Sequence, residues 1–202
     1  MSKKPSLSMY LLALLSLLLL GLPAAVGGQE VQEEVCVIET NHGTMVFRFL
    51  EEGAPKTVKH VKRLVAEGFY DGRDFYRVVA GHVIQTGDGG ENRRPTVSPE
   101  FGAHPHVVGA VGLARDSSLD SGKTEIYICL EERPHLDGRY AIFGLLVEGF
   151  DVLEAIGAVE VEEKWIGTVA FHKPKEPVVI RRAFLEKRAI SPAQPAAEPG
   201  AG

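Results

Sequence analysis

Two short runs rich in apolar and β-branched residues, 35–40 and 44–50, have the length and makeup of strands. Met45, Phe47 and Phe49 fall on one face of the second strand, and Val46, Arg48 and Leu50 on the other. The Asn41-His42-Gly43 link predicts a hairpin turn between the two. The period then changes. Behind Ala54-Pro55, Val58, Val61, Leu64 and Val65 recur at helical spacing, while Lys56, Lys59, Lys62, Arg63 and Glu67 take the outer face. Gly68 predicts the helix stop, and Asp71-Gly72 a tight turn. In the β-branched run that follows, Phe75, Arg77 and Val79 are expected on one face and Tyr76 and Val78 on the other. Arg77 would then point the same way as two large apolar residues.

Residues 87–99 are polar and glycine-rich but lack the GxxxxGK[ST] spacing of a phosphate loop. Residues 107–114, 125–130 and 139–147 read as strands, the last after a Leu136-Asp137-Gly138 turn. A short helix with Val152, Leu153 and Ile156 inward follows, then mixed strand and loop over 160–171 and a last strand over 177–185. Many short strands with only two helices predict a mainly-β fold, a barrel or sandwich capped by helices.

The ends differ in composition from this middle. Lys3 and Lys4 precede a leucine-rich run over residues 9–20 and a small-residue exit around Ala25 and Gly27, the layout of a secretory signal peptide cut before Gly28. An uncleaved N-terminal membrane anchor is the alternative, disfavoured because Ser16, Gly21 and Pro23 interrupt the apolar run. Residues 191–202 are rich in Pro, Ala and Gly and read as a disordered tail. The division expected is therefore a signal peptide over 1–28, one folded domain over 29–190, and a tail. The formal charge of −5 falls to −7 without the first 28 residues, which carry Lys3, Lys4 and no acid. A net negative surface argues against general nucleic-acid binding. Cys36 and Cys129 each lie in an apolar, strand-like run; two buried thiols are the favoured reading, and one bridge in an oxidising compartment the other. His104 and His106 have a spacing that a strand could offer a metal, but no third ligand joins them, and a metal site is rejected.

Several segments, in order and at fixed separation, resemble the cyclophilin-type peptidyl-prolyl isomerases over 35–185: Ala54-Pro-Lys-Thr-Val58, Gly68-Phe-Tyr-Asp-Gly72, Phe75-Tyr-Arg-Val78, Gln85-Thr-Gly-Asp88, Gly112-Leu-Ala-Arg115, Leu136-Asp-Gly138 and Phe143-Gly144. The resemblance implies a closed eight-stranded antiparallel barrel capped by two helices, with the active cleft on its outer wall. It implies a monomer acting on proline-containing polypeptides without cofactor or metal, and with no lasting membrane anchor once the signal peptide is removed. Arg77 matches the catalytic arginine and Gln85 the glutamine that orients it. Phe75, His82, Val83, Ala114, Arg115, Glu125, Tyr127, His135, Leu136 and Tyr140 match substrate-binding positions, with Val83, Tyr127 and Leu136 lining the proline pocket. The chain departs from the family pattern at some of these. Tyr76 stands for the usual histidine, His82 for an aromatic, Thr86 for a glycine, Glu125 for a glutamine, Tyr127 for a phenylalanine, His135 for a tryptophan linked to cyclosporin binding, and Tyr140 for a histidine. Glu125 is expected either to pair with Arg77 and occupy its donors or to meet Arg115 at the rim. An exported isomerase is the function implied; a peptide-binding or chaperone module without catalysis is the alternative that this more polar lining raises.

Overall fold

The computed structural model of the chain describes residues 31–88, 94–166 and 169–190, so the expected signal peptide and tail lie outside the described residues. Among the described residues, ten strands and two α-helices follow one another as β1 (Val31–Thr40), β2 (Thr44–Phe49), α1 (Pro55–Ala66), β3 (Arg77–Val79), β4 (Val83–Thr86), β5 (Ala110–Leu113), β6 (Ile126–Cys129), β7 (Ala141–Glu148), α2 (Phe150–Gly157), β8 (Val161–Ile166), β9 (Val169–Pro174) and β10 (Ile180–Ile190), with a 3-10 turn at Pro134–Leu136 between β6 and β7. Eight strands form one antiparallel sheet in the order β10-β1-β2-β7-β5-β6-β4-β3, and β8 and β9 pair separately.

The two edges of the large sheet meet. Around a bridge between Asp74 and Val179, the Gly72 N–H donates to the Ile180 carbonyl at 2.8 Å, Phe75 N–H to Val178 at 2.8 Å, and Ile180 N–H to Arg73 at 2.7 Å. These bonds curl the sheet onto itself, and closure leaves few unpaired edge groups.

Alternation along the strands then sorts side chains between the inside and the outer wall. Met45, Phe47, Val78, Ile84, Val111, Ile126, Ile128 and Phe143 fill the interior together with the inner face of α1. Phe47 touches Phe49 and Phe143 edge-on, at centroid distances of 5.2 and 6.0 Å. Helix α1 buries the expected Val58, Val61, Leu64 and Val65. It ends as Gly68 predicts: this glycine sits at φ 67°, its N–H donates to Val65, and Phe69 N–H donates to Leu64. Its start is less obvious locally, because Ala54 offers no capping side chain. Glu100 supplies the cap, accepting from the N–H groups of Lys56 at 3.0 Å and Thr57 at 2.8 Å.

The structure corrects several expectations. Strand β1 begins at Val31 and β10 runs to Ile190, because the polar segments 31–34 and 187–190 pair with each other. Strand β5 starts at Ala110 rather than 107. Where mixed strand and loop is expected over 160–171, residues 161–166 and 169–174 pair in regular antiparallel register, and Trp165 there is 64% exposed. Phe75 precedes β3, is fully buried and belongs to the interior cluster with Val78, so it does not share a face with Arg77. Cys36 lies inside the barrel and Cys129 in the cluster on the outer wall, both as buried free thiols, which removes the bridge.

Candidate active site

On the outer wall of β3 and β4, Arg77 and Gln85 are direct cross-strand partners, and Arg77 Nη1 donates to Gln85 Oε1 at 3.0 Å. The other end of the Gln85 amide is also held: Nε2 donates to Glu125 Oε2 at 2.7 Å and to the Tyr76 hydroxyl at 2.6 Å. Tyr76 in turn donates its phenolic proton to Glu125 Oε2. A carboxylate only accepts, so Glu125 draws the NH2 end of the amide toward itself and leaves the carbonyl end facing Arg77. Burial first, and then the Glu125 carboxylate, push the Tyr76 phenol up, which keeps it a donor. Burial lowers the Arg77 pKa, against smaller opposing effects of Tyr76, Tyr140 and Glu125; a guanidinium remains charged nonetheless. Glu125 thus takes neither expected role: its recorded partners are Gln85 and Tyr76, not Arg77 or Arg115.

Beside this pair lies a second cluster, made of outward residues of β4, β5, β6 and β7. Val83, Ala110, Tyr127, Cys129 and Ile142 are buried, with Ala114 and Tyr140 packed against them. Tyr127 lies over Gly112, where a Cβ would come within 2.2 Å of its Cζ; only glycine leaves room for the ring. The Tyr127 hydroxyl, the extra atom relative to phenylalanine, sits 2.7 Å from His106 Nε2. His106 Nδ1 is 2.6 Å from Asp137 Oδ1, which also accepts from the His106 N–H at 2.9 Å. His106 is fully buried, and its ring stacks on Tyr127 with an interplanar angle of 6°. These bonds from His106 hold the Asp137 carboxyl below its ordinary range, so the carboxylate accepts from Nδ1–H. In the neutral imidazole Nε2 is then an acceptor, and the Tyr127 hydroxyl donates to it. Its proton points away from the pocket, and the floor presented there is an aromatic ring.

The rim is cationic and aromatic. The Arg115 guanidinium lies over the Tyr140 ring at 4.8 Å, and Tyr140 meets Tyr127 edge-on at 6.0 Å. Across the site, His82 and the exposed His135 stack at 6.0 Å. Burial, followed by the nearby Arg133, Arg77 and His135, lowers the His82 pKa.

Arg77, Gln85, Val83, Ala114, Arg115, Glu125, Tyr127 and Tyr140 are therefore gathered on the outer wall, with His82, His135 and Leu136 on its flanking turns; Phe75 alone is withdrawn into the interior. Thr86 points inward, where its hydroxyl donates to the Asp74 carbonyl at 2.8 Å. Two partners escaped the sequence reading. His106 was visible only as a fold position, since its ties to Tyr127 and Asp137 span 21 and 31 residues. Phe171 stacks on Tyr76 with centroids 5.7 Å apart and planes at 8°, a contact nothing local announces. Both ring nitrogens of His106 are engaged by protein groups, leaving none for a metal. Surface concavities of about 430, 500 and 380 Å³ lie on other faces and contain none of the expected site residues.

Comparison with known proteins agrees with this arrangement. The family model for cyclophilin type peptidyl-prolyl cis-trans isomerases matches residues 35–184. A probable peptidyl-prolyl cis-trans isomerase of Brucella abortus is 32% identical over 141 residues, covering 61% of this chain and 71% of the relative. A peptidyl-prolyl cis-trans isomerase of Helicobacter pylori is 33% identical over 141 residues, covering 63% and 86%. Among solved structures, a Cryptosporidium parvum cyclophilin-type isomerase crystallised with the dipeptide Ala-Pro superposes with a TM-score of 0.67. It covers 76% of this chain and 99% of its own, and at 24% identity the likeness is one of fold.

Proposed function

The chain belongs to the cyclophilin-type peptidyl-prolyl cis-trans isomerases, and from that membership we propose that it accelerates rotation about Xaa–Pro bonds in exported polypeptides, with Arg77 as the catalytic group. Export rests on the leader read over residues 1–28. Amide resonance opposes the rotation with a barrier of about 18–20 kcal/mol. As the bond twists, conjugation is lost and the nitrogen lone pair becomes an acceptor. No covalent bond forms or breaks, so the enzyme need only favour the twisted amide over the planar one. Arg77 can donate to the prolyl carbonyl oxygen and to that nitrogen while one of its N–H groups stays with Gln85. The ring-lined floor made by Val83, Tyr127 and Leu136 would hold the pyrrolidine while the preceding residue swings. The Ala-Pro dipeptide of the Cryptosporidium parvum structure supports substrates of this class.

The observation that carries the proposal is the Arg77–Gln85 bond beside the aromatic floor. The Glu125 carboxylate is spent on Gln85 and Tyr76, which counts against a module whose arginine is neutralised. NMR exchange spectroscopy on a short Xaa–Pro peptide tests it. The wild-type chain should speed cis–trans exchange, and Arg77→Ala should slow that catalysis by roughly 10²–10³-fold, the usual cost of one oxyanion-type donor. Peptide shifts on binding without faster exchange would move the assignment to a peptide-binding module.

A further inference from the structure

Strand β3, which carries Arg77, is the last strand of the sheet order, and the seam to the β10 side is made by residues 72–75 just before it, which bond to residues 178–180. The β8–β9 hairpin lies on that side and is anchored at its base. Lys175 N–H donates to the Glu160 carbonyl at 2.9 Å, Pro174 is buried, and Val161 packs against the interior cluster. Further along β9, Phe171 lies face to face with Tyr76 at 5.7 Å. Tyr76 accepts from Gln85 and donates to Glu125, two groups that also meet directly at 2.7 Å, so its hydroxyl is the third member of that cluster.

A phenolic O–H lies in the plane of its ring because the oxygen is conjugated with it. Rotation about the ring axis leaves the oxygen in place but turns both its proton and its lone pairs. That torsion is broad in itself. A parallel aromatic partner selects one plane. The plane seen here sends the Tyr76 proton to Glu125 and accepts from Gln85 Nε2 at 2.6 Å. The Gln85 amide so held presents its oxygen to Arg77 at 3.0 Å.

We propose that Phe171 is a positioning residue for the isomerase reaction: the β8–β9 hairpin sets the plane of Tyr76 and, through the Gln85 amide, the direction of the Arg77 guanidinium. The inference rests on the isomerase reading but is measurable apart from it. Phe171→Ala and Phe171→Leu remove the ring, and Phe171→Tyr keeps it. Exchange spectroscopy at several peptide concentrations separates kcat from KM, thermal unfolding checks the fold, and the side-chain amide resonances of Gln85 report its orientation. The Ala and Leu variants should fold, lose about tenfold or more in kcat with KM nearly unchanged, and shift the Gln85 amide; Tyr should restore both readings. If Ala unfolds the chain, the Leu variant decides. An unchanged kcat, a rise in KM alone, an unmoved Gln85 amide, or failure of Tyr to restore it would overturn the proposal. An inert wild-type chain would sink the isomerase reading instead, leaving the Gln85 resonances to judge the positioning role.

Discussion

Replacing Tyr127 by phenylalanine removes a single oxygen and restores the residue that the family pattern carries at the pocket floor. Its consequence here is set by His106. That imidazole is fully buried, gives Nδ1–H to Asp137 at 2.6 Å, and receives the Tyr127 hydroxyl on Nε2 at 2.7 Å. Without the hydroxyl, Nε2 becomes a buried acceptor with no partner, a loss of about 1–3 kcal/mol. For a domain of this size each kcal/mol corresponds to roughly 2–4 °C in Tm, so thermal unfolding should show a drop of some ~2–12 °C. His106→Phe strands the hydroxyl in turn and should cost a similar amount, about 1–3 kcal/mol. With both groups gone neither partner of the Tyr127–His106 bond is stranded, while Asp137 loses Nδ1–H in both His106→Phe backgrounds alike, so the double variant should cost less than the two single losses added, by about 0.5–3 kcal/mol. Catalysis should survive Tyr127→Phe, because the ring face is retained. A Tyr127→Phe variant as stable as wild type, or strictly additive losses, would refute the reading of Tyr127 and His106 as a coupled buried hydrogen-bonded pair.

Three further outcomes follow from particular contacts. Gly112→Ala puts a methyl group 2.2 Å from Tyr127 Cζ, so it should lower stability by about 1–3 kcal/mol in urea titration and weaken proline-peptide binding by pushing the floor outward. His82 has its pKa lowered from 6.5 in the fold, chiefly by burial, so the unfolded chain binds that proton more readily. Its contribution is intact above about pH 6.5 and is lost as the pH falls toward the folded value. Denaturation midpoints should fall between pH 7 and 5, and His82→Phe should flatten that slope. Burial pushes Cys129 up to about 12 and Cys36 further still, so neither thiol should be alkylated in the folded chain, while both should label in denaturant, as read by mass spectrometry.

Much of the barrel could be read in the chain because its signals are local. The alternation of Met45, Phe47 and Phe49, the helical spacing of Val58 to Val65 and the stop at Gly68 each depend on neighbours within a few residues. What escaped depends on distant partners. Residues 31–34 and 187–190 look too polar for strands until Glu34 is seen opposite Lys187 and Glu33 opposite Arg188. The cap of α1 is Glu100, 44 residues from the backbone it serves. Phe75 continues the alternation on paper, but the chain does not enter β3 until Arg77, and the irregular step sends Phe75 inward. For the site, residue types were legible at most positions and relationships were not. Glu125 could be seen to replace a glutamine, yet its pairing with Gln85 and Tyr76 emerges only once β4 and β6 lie side by side.

The neighbours of β1 in the barrel are β2, which follows it at once, and β10, the last strand in the described chain. Val31 stands opposite Ile190, and the seam at residues 72–75 also waits for residues 178–180. During synthesis, then, no arrangement of the first hundred residues can close the barrel, since both its seam and the outer flank of β1 are completed by residues 178–190. Such non-local pairing slows folding and keeps the growing chain open until residues 178–190 have been made. Under the export proposed above, the late position of β10 would keep the chain open before the barrel closes.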